Sequence, residues 1–155
     1  MLNRVKKNND KGFTIIEVMI VLAIAALILL IVFLAVPALQ RNSRNTNRKS
    51  DVGRVGSASV TVVSNGNGAM ASLTTANVRA EVGNRLGYYE DTGVTANAVL
   101  AAGGTVTNAT TIDTIVVVPN AACAGANAAF ANRQIAVLYS TEAGGGGPTR
   151  ACLDQ

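Results

Sequence analysis

The stretch FTIIEVMIVLAIAALILLIVFLAV, residues 13–36, decides the fold. It is 24 residues long, and its one charged residue is Glu17. As an α-helix at ~1.5 Å per residue it would reach about 36 Å. The hydrocarbon core of a bilayer is ~30 Å thick, so the run is long enough to span it. An ordinary cleavable secretory signal has an apolar core of only ~7–15 residues, so this run reads as a span. A cut among the small residues around Val36, Pro37 and Ala38 is the lesser alternative. A carboxylate in such a span costs ~2.5–3.5 kcal/mol at the helix centre and less near an end. Glu17 therefore either finds a cation or snorkels to the headgroups.

Working outward, both flanks are basic. Residues 1–12, MLNRVKKNNDKG, carry Arg4, Lys6, Lys7 and Lys11 against Asp10. On the far side, residues 40–54 carry Arg41, Arg44, Arg48, Lys49 and Arg54 against Asp51. Counting Lys and Arg beside the span thus gives no orientation. The two cysteines do. Cys123 and Cys152 form an even pair in a small domain, which reads as a disulfide outside the reducing compartment, with two buried thiols as the alternative. The C-terminal domain then lies outside and the short basic leader inside.

Composition narrows the function classes. A chain of 155 residues suits one domain plus an anchor. Hydrophobic residues make up 49% and charged residues 14%, too apolar a balance for disorder. With no His and two Cys, a transition-metal centre has no ligand set. The sequence shows no catalytic triad, no phosphate-binding glycine loop and no Cys/His cluster. An enzyme, a metal and a cofactor are therefore not expected.

The stretch KGFTIIEV, residues 11–18, followed by the long apolar run, resembles the N-terminus of a type IV prepilin. The resemblance covers about residues 11–37. It implies that a dedicated peptidase cuts after Gly12 on the cytoplasmic side and that Phe13 becomes the N-methylated terminus. Glu17 matches the family's glutamate, four residues after the new terminus. The cut would create an α-amine that is largely cationic at neutral pH. In a helical filament, Glu17 of one subunit could pair with the Phe13 amine of a neighbour. Pro37 corresponds to a proline that the family usually carries about one turn earlier. It acts either as an assembly-related break in the helix or as a marker of the membrane exit.

The resemblance implies an α+β fold, with a long N-terminal helix packed against a small antiparallel sheet. The expected parts are a leader at 1–12, a helix at 13–64 and a head at 65–155 with a C-terminal disulfide loop. The implied function is a structural subunit of a type IV pilus, serving adhesion, twitching motility or DNA uptake. The implied partners are copies of the same chain, the prepilin peptidase, motor ATPases, an inner-membrane assembly platform and, before assembly, the membrane. The precursor would sit in the inner membrane with its N-terminus inside, and the assembled filament outside the cell. Two alternatives remain. One is a pseudopilin of a type II secretion system, whose major form often has a calcium loop near the C-terminus; here Asp154 is the only acid in that region. The other is a membrane-anchored surface-binding domain that never polymerises.

Past Pro37 the residues read as follows. Arg41, Arg44 and Arg48 share one helical face. Val52, Val55, Ser59 and Val62 make an apolar stripe able to pack under a sheet. SNGNG, residues 64–68, ends the helix near Val63. Residues 41–54 carry net +4 and the rest of the head net −2. That cluster fits a solvated face near headgroups, ion pairs with neighbouring heads, or a nucleic-acid patch; the last lacks interleaved aromatics. Residues 69–82 read as a short helix, and residues 96–111 as loop with a short strand. Strands are expected at 112–118, ended by Pro119, and at 134–140 and 149–153, with GGGG at 144–147 as a hairpin loop. A Cys123–Cys152 bridge would close a loop of roughly 30 residues, worth ~3–4 kcal/mol in the chain-entropy model. In the family such a loop lies at the fibre surface.

Overall fold

A computed structural model describes residues 12–90, 93–108, 110–145 and 147–155. The expected leader therefore lies, up to residue 11, outside the described residues. The chain divides into two compact units, Met1–Leu39 and Gln40–Gln155.

In the first unit every residue from Gly12 to Leu39 is exposed, and helix α1 (Ile15–Asn65) begins there. Its most apolar window has a mean hydropathy of 3.4 with no residue buried inside the chain. Among the described residues it is the one helix long and apolar enough to cross a membrane. Pro37 lies inside α1, which continues through it. Proline has no N–H to give to the carbonyl four residues back, so the ladder loses one bond there.

In the second unit α1 acquires a buried face. Val52, Val55, Ser59 and Val62 are covered, which is the stripe expected from the spacing of three and four, and Ala58 is covered beside them. The helix ends where Gly66, Asn67 and Gly68 turn the chain, the last two at positive φ (55° and 79°). Asparagine and glycine tolerate that conformation best. Helix α2 (Thr75–Val82) follows, N-capped by Thr74, whose hydroxyl accepts the N–H of Asn77 at 3.2 Å.

Five strands complete the unit: β1 (Val94–Ala96), β2 (Thr105–Val106), β3 (Ile115–Ala124), β4 (Asn127–Glu142) and β5 (Pro148–Asp154). Strand β3 pairs antiparallel with β4, and β4 pairs antiparallel with β2 at one end and with β5 at the other. Strand β1 pairs parallel with β3, Val94 opposite Ile115. The sheet is thus mixed rather than wholly antiparallel. A long connection through residues 97–114 returns the chain to run beside β1 in the same direction, as parallel pairing requires.

The strands outrun the sequence expectation. Strand β3 does not stop at Pro119 but continues to Ala124, and β4 begins at Asn127 instead of 134. The register breaks between Pro119 and Ala121: Pro119 faces Ile135, whereas Ala121 faces Phe130. Residues 131–134 of β4 thus stand opposite Asn120 alone. Asn120 and Arg133 take positive φ at this bulge (55° and 61°), and the Arg133 N–H donates to Asn120 Oδ1 at 3.2 Å. A bulge bends and twists its strands, and it is where a proline can sit in a ladder. The bend brings Cys123 of β3 within 5.7 Å (Cα–Cα) of Cys152 of β5, and the two are joined as a disulfide. The Asp154 carboxylate accepts the Cys123 N–H at 2.6 Å beside it.

The sheet is covered on both faces. One face meets α1 and α2 through Val55, Val78, Val94, Ile115, Val117 and Val137, all buried. The other gathers Val118, Ala121, Ala128, Ala136 and Leu138, with Leu100 and Val106 packed on them. Within the strap that covers this second face, Asn108 is fully buried. Its amide donates to the carbonyls of Tyr139 (3.2 Å) and Ala151 (2.9 Å) and accepts from Thr110, so the polar group is satisfied.

The disulfide holds the curled end of the β3–β4 hairpin to β5. Replacing both Cys123 and Cys152 by Ser should cost ~3–4 kcal/mol. A thermal melt of the purified chain in detergent should show the lowered Tm. An unchanged Tm would mean that the curl is held without the bridge.

Candidate functional site

Two groups of residues carry the site, one in each unit. At the N-terminal end, residues 12–14 precede α1 and Thr14 caps it. The Glu17 carboxylate accepts the Thr14 N–H and the Thr14 hydroxyl, both at 2.8 Å on Oε2. The Thr14 hydroxyl in turn accepts the Glu17 N–H at 3.3 Å. This reciprocal arrangement is a capping box, in which Thr and Glu three apart satisfy helix donors that would otherwise be orphaned. The signal for it in the sequence is the Thr-x-x-Glu spacing at the head of the apolar run. Glu17 therefore serves the first turn of its own helix through one oxygen. Gly12 and Phe13 are fully accessible, Phe13 at 88% exposure, and a Cβ on Gly12 would meet nothing within 4 Å.

In the second unit the basic face of α1 meets the end of β4. Arg44 grips Glu142 with two parallel bonds, Nε to Oε1 at 2.8 Å and Nη2 to Oε2 at 2.6 Å. Arg48 reaches the same carboxylate at 2.8 Å from a fully buried position. Its guanidinium carbon lies 4.1 Å from the ring centre of Tyr88, and Arg48 Nη2 also bonds the Tyr88 hydroxyl. The Asn45 side chain accepts the Glu142 N–H (2.8 Å) and donates to the Glu142 carbonyl (2.9 Å), as a neighbouring strand would. Arg41 adds a bond to the Gly144 carbonyl at 3.2 Å. Three of the five cations of the cluster thus hold their own chain's β4–β5 hairpin. The expectation of ion pairs with a neighbouring head does not apply to Arg44 and Arg48, because Glu142 of the same chain already occupies them.

One turn further on, Asp51 is buried, with the exposed Arg54 guanidinium 3.6 Å away. Its carboxylate accepts the backbone N–H groups of Gly87 (3.0 Å), Tyr88 (2.7 Å) and Tyr89 (3.2 Å). The turn at residues 87–89 is therefore anchored to α1 by one acid. Tyr88 and Tyr89 meet edge to face, centroids 5.4 Å apart. Burial pushes the Tyr89 hydroxyl well above its ordinary pKa. The charges of Arg44, Arg48, Asp51 and Glu142 are legible in the sequence, but not what they hold, since those partners lie far apart along the chain.

Among the described residues, the one cluster of potential metal ligands is Cys123, Cys152 and Asp154. There the thiols are consumed by the disulfide and the carboxylate by the Cys123 N–H.

Residues 7–33 match the model of the prokaryotic N-terminal methylation motif. The motif supports a class III signal peptide of the type IV pilin kind, and thereby a pilin-like or pseudopilin precursor. Together with the apolar helix it supports a membrane-anchored precursor, and it indicates a structural subunit rather than an enzyme. The helix-and-sheet architecture fits the pilin fold. No curated protein and no solved structure matches the chain.

Two outcomes follow from the head's polar contacts. Hydrogen bonds from Arg44 and then Arg48 hold the Glu142 carboxyl at about 2, below its ordinary 4.5. A folded value below the unfolded one means that the stabilisation is complete above about pH 4.5 and is lost as pH falls toward 2. Glu142→Gln should lower Tm at neutral pH and flatten the acid limb of Tm against pH in that window. Asp51→Ala should leave three backbone donors unpaired, that of Tyr89 buried, and cost ~1–3 kcal/mol, read from a denaturant or thermal melt.

Proposed function

We propose that this chain is the subunit of a type IV pilus. It is cleaved after Gly12, methylated on Phe13 and polymerised through α1 into a surface filament. The observation that carries the reading is the methylation motif over residues 7–33, opening a helix whose first half has no partner within its own chain. An apolar helical surface of this extent is stable only in lipid or against other apolar helices. Membrane before assembly and a filament core after it supply those two settings. The peptidase and an inner-membrane platform are the partners this route needs.

In the filament the Phe13 ammonium meets Glu17 of a neighbour. The capping box occupies Oε2 of Glu17 in its own chain. The second carboxylate oxygen remains for that ammonium, so one side chain serves helix and assembly together. Pro37 marks where the span gives way to the head-bearing half of α1. The pilus reading ranks above the pseudopilin because a disulfide stands near the C-terminus where a calcium loop would need carboxylates.

Processing and pairing are separable by substitution. Gly12→Val should leave an uncut precursor in the membrane; mature chains beginning at Phe13 in that variant would refute the cleavage site. Glu17→Gln retains the capping geometry, because glutamine also serves at that position. It removes the charge, leaving a buried ammonium unpaired at a cost of ~3–5 kcal/mol. Filaments counted by microscopy against mature subunit by immunoblot should therefore fall sharply in Glu17→Gln, as in Glu17→Val. Normal filaments in Glu17→Gln and few in Glu17→Val would assign Glu17 to capping alone.

A further inference from the structure

The Gly12–Phe13 bond lies just before α1, and one side chain keeps it outside the helix. Residues 12–14 are not helical, and Gly12 and Phe13 are exposed. The first helical hydrogen bond runs from the Val18 N–H to the Thr14 carbonyl at 3.3 Å. Among the described residues no backbone N–H reaches the carbonyls of Gly12 or Phe13.

An α-helix extends upstream one bond at a time, each N–H reaching the carbonyl four residues back. The next bond before the one at Thr14 would join the Glu17 N–H to the Phe13 carbonyl. The one after it would join the Ile16 N–H to the Gly12 carbonyl. The first of these donors is already taken, because the Thr14 hydroxyl accepts the Glu17 N–H at 3.3 Å. Glu17 Oε2 fixes that hydroxyl by accepting its proton at 2.8 Å, and it accepts the Thr14 N–H at the same distance. The capping box thus withholds the donor that would carry α1 over Phe13.

We infer that Thr14 is a positioning residue for leader removal: its hydroxyl stops α1 at Ile15, so that the Gly12 carbonyl stays free for hydrolysis. The inference rests on cleavage after Gly12 and names what presents that bond. Hydrolysis adds water across the Gly12–Phe13 bond, leaving a carboxylate on Gly12 and an ammonium on Phe13. Attack on the Gly12 carbonyl carbon builds charge on its oxygen, and donors of the peptidase have to reach that oxygen. A carbonyl inside a helical turn already accepts an N–H and is hemmed in by the turn. In the low-water setting at the start of a span, a freed Glu17 N–H takes the nearest carbonyl upstream. Glycine at position 12 resists such an extension but does not forbid it.

The test follows the full-length precursor in isolated membranes with a prepilin peptidase, by immunoblot for the rate and by mass spectrometry for the new N-terminus. Thr14→Val keeps the shape and loses the hydroxyl. It should slow cleavage roughly fivefold, the population ratio that corresponds to a lost helix cap. Thr14→Ser and Thr14→Asn, which also cap, should be cut at the wild-type rate. Thr14→Val with Ile15→Pro should recover the rate, because a proline at the first helical position drives the residue before it out of the helical region. That arm separates a helix stop from a contact between the hydroxyl and the peptidase. In detergent, the carbonyl ¹³C shifts of Gly12 and Phe13 in Thr14→Val should move toward helical values. Wild-type rates in Thr14→Val, or slow cleavage in Thr14→Ser and Thr14→Asn, would overturn the inference. So would a slow double variant when Ile15→Pro alone is cut normally. A wild-type chain cut at any bond other than Gly12–Phe13 would overturn the cleavage reading itself.

Discussion

From Gly12 to Leu39 helix α1 has no partner in its own chain, whereas beyond Gln40 its inner face is covered by a sheet. One continuous backbone thus serves two environments, and the chemistry changes within two turns. Before the change a charge is expensive and Glu17 stands alone. After it, charges do the fastening, with Arg41, Arg44, Asn45, Arg48 and Asp51 presented in succession on one face. The hydrogen-bond ladder loses a donor at Pro37, beside the boundary at Leu39 and Gln40.

The fastening has a physical order. Valines at 52, 55 and 62 supply non-directional burial, which holds α1 to the sheet but does not fix its register. The polar contacts fix it. Arg44 meets Glu142 as a two-pronged fork, a geometry that admits one arrangement. Asp51 gathers three consecutive N–H groups of a turn that has no strand to satisfy them. Glu142 and Asp51 thus tie two neighbouring segments, the end of β4 and the turn at 87–89, to successive turns of one helix. The disulfide performs the corresponding task on the far side, where the bulge at Asn120 and Arg133 curls β3 and β4 toward β5.

The N-terminal end joins two demands in one side chain. Glu17 closes the first turn of α1 and is also the only acid in the span. A capping carboxylate near a helix start is favoured by the helix dipole as well as by its hydrogen bonds. Its position is therefore favourable within the single chain, before any neighbour is present. This reduces the cost of carrying a charge into the membrane and makes the local fold and the proposed assembly compatible.

What the sequence determined by itself was whatever depends on neighbours three or four residues apart. The span, the valine stripe, the Gly-Asn-Gly stop, the short helix before Gly83 and the final strand are all local patterns. The capping box at Thr14 and Glu17 was equally local and equally legible. Tertiary structure alone decided the rest. Residues 120–131 are mostly Ala and Asn, which have weak strand preference, so their extension into β3 and β4 follows from burial against Leu100 and Val106 rather than from propensity. The parallel pairing of β1 depends on how a long connection returns. The joining of Arg44 and Arg48 to Glu142 spans nearly a hundred residues, and a charge on a helix face carries no mark of the partner that folding will bring to it.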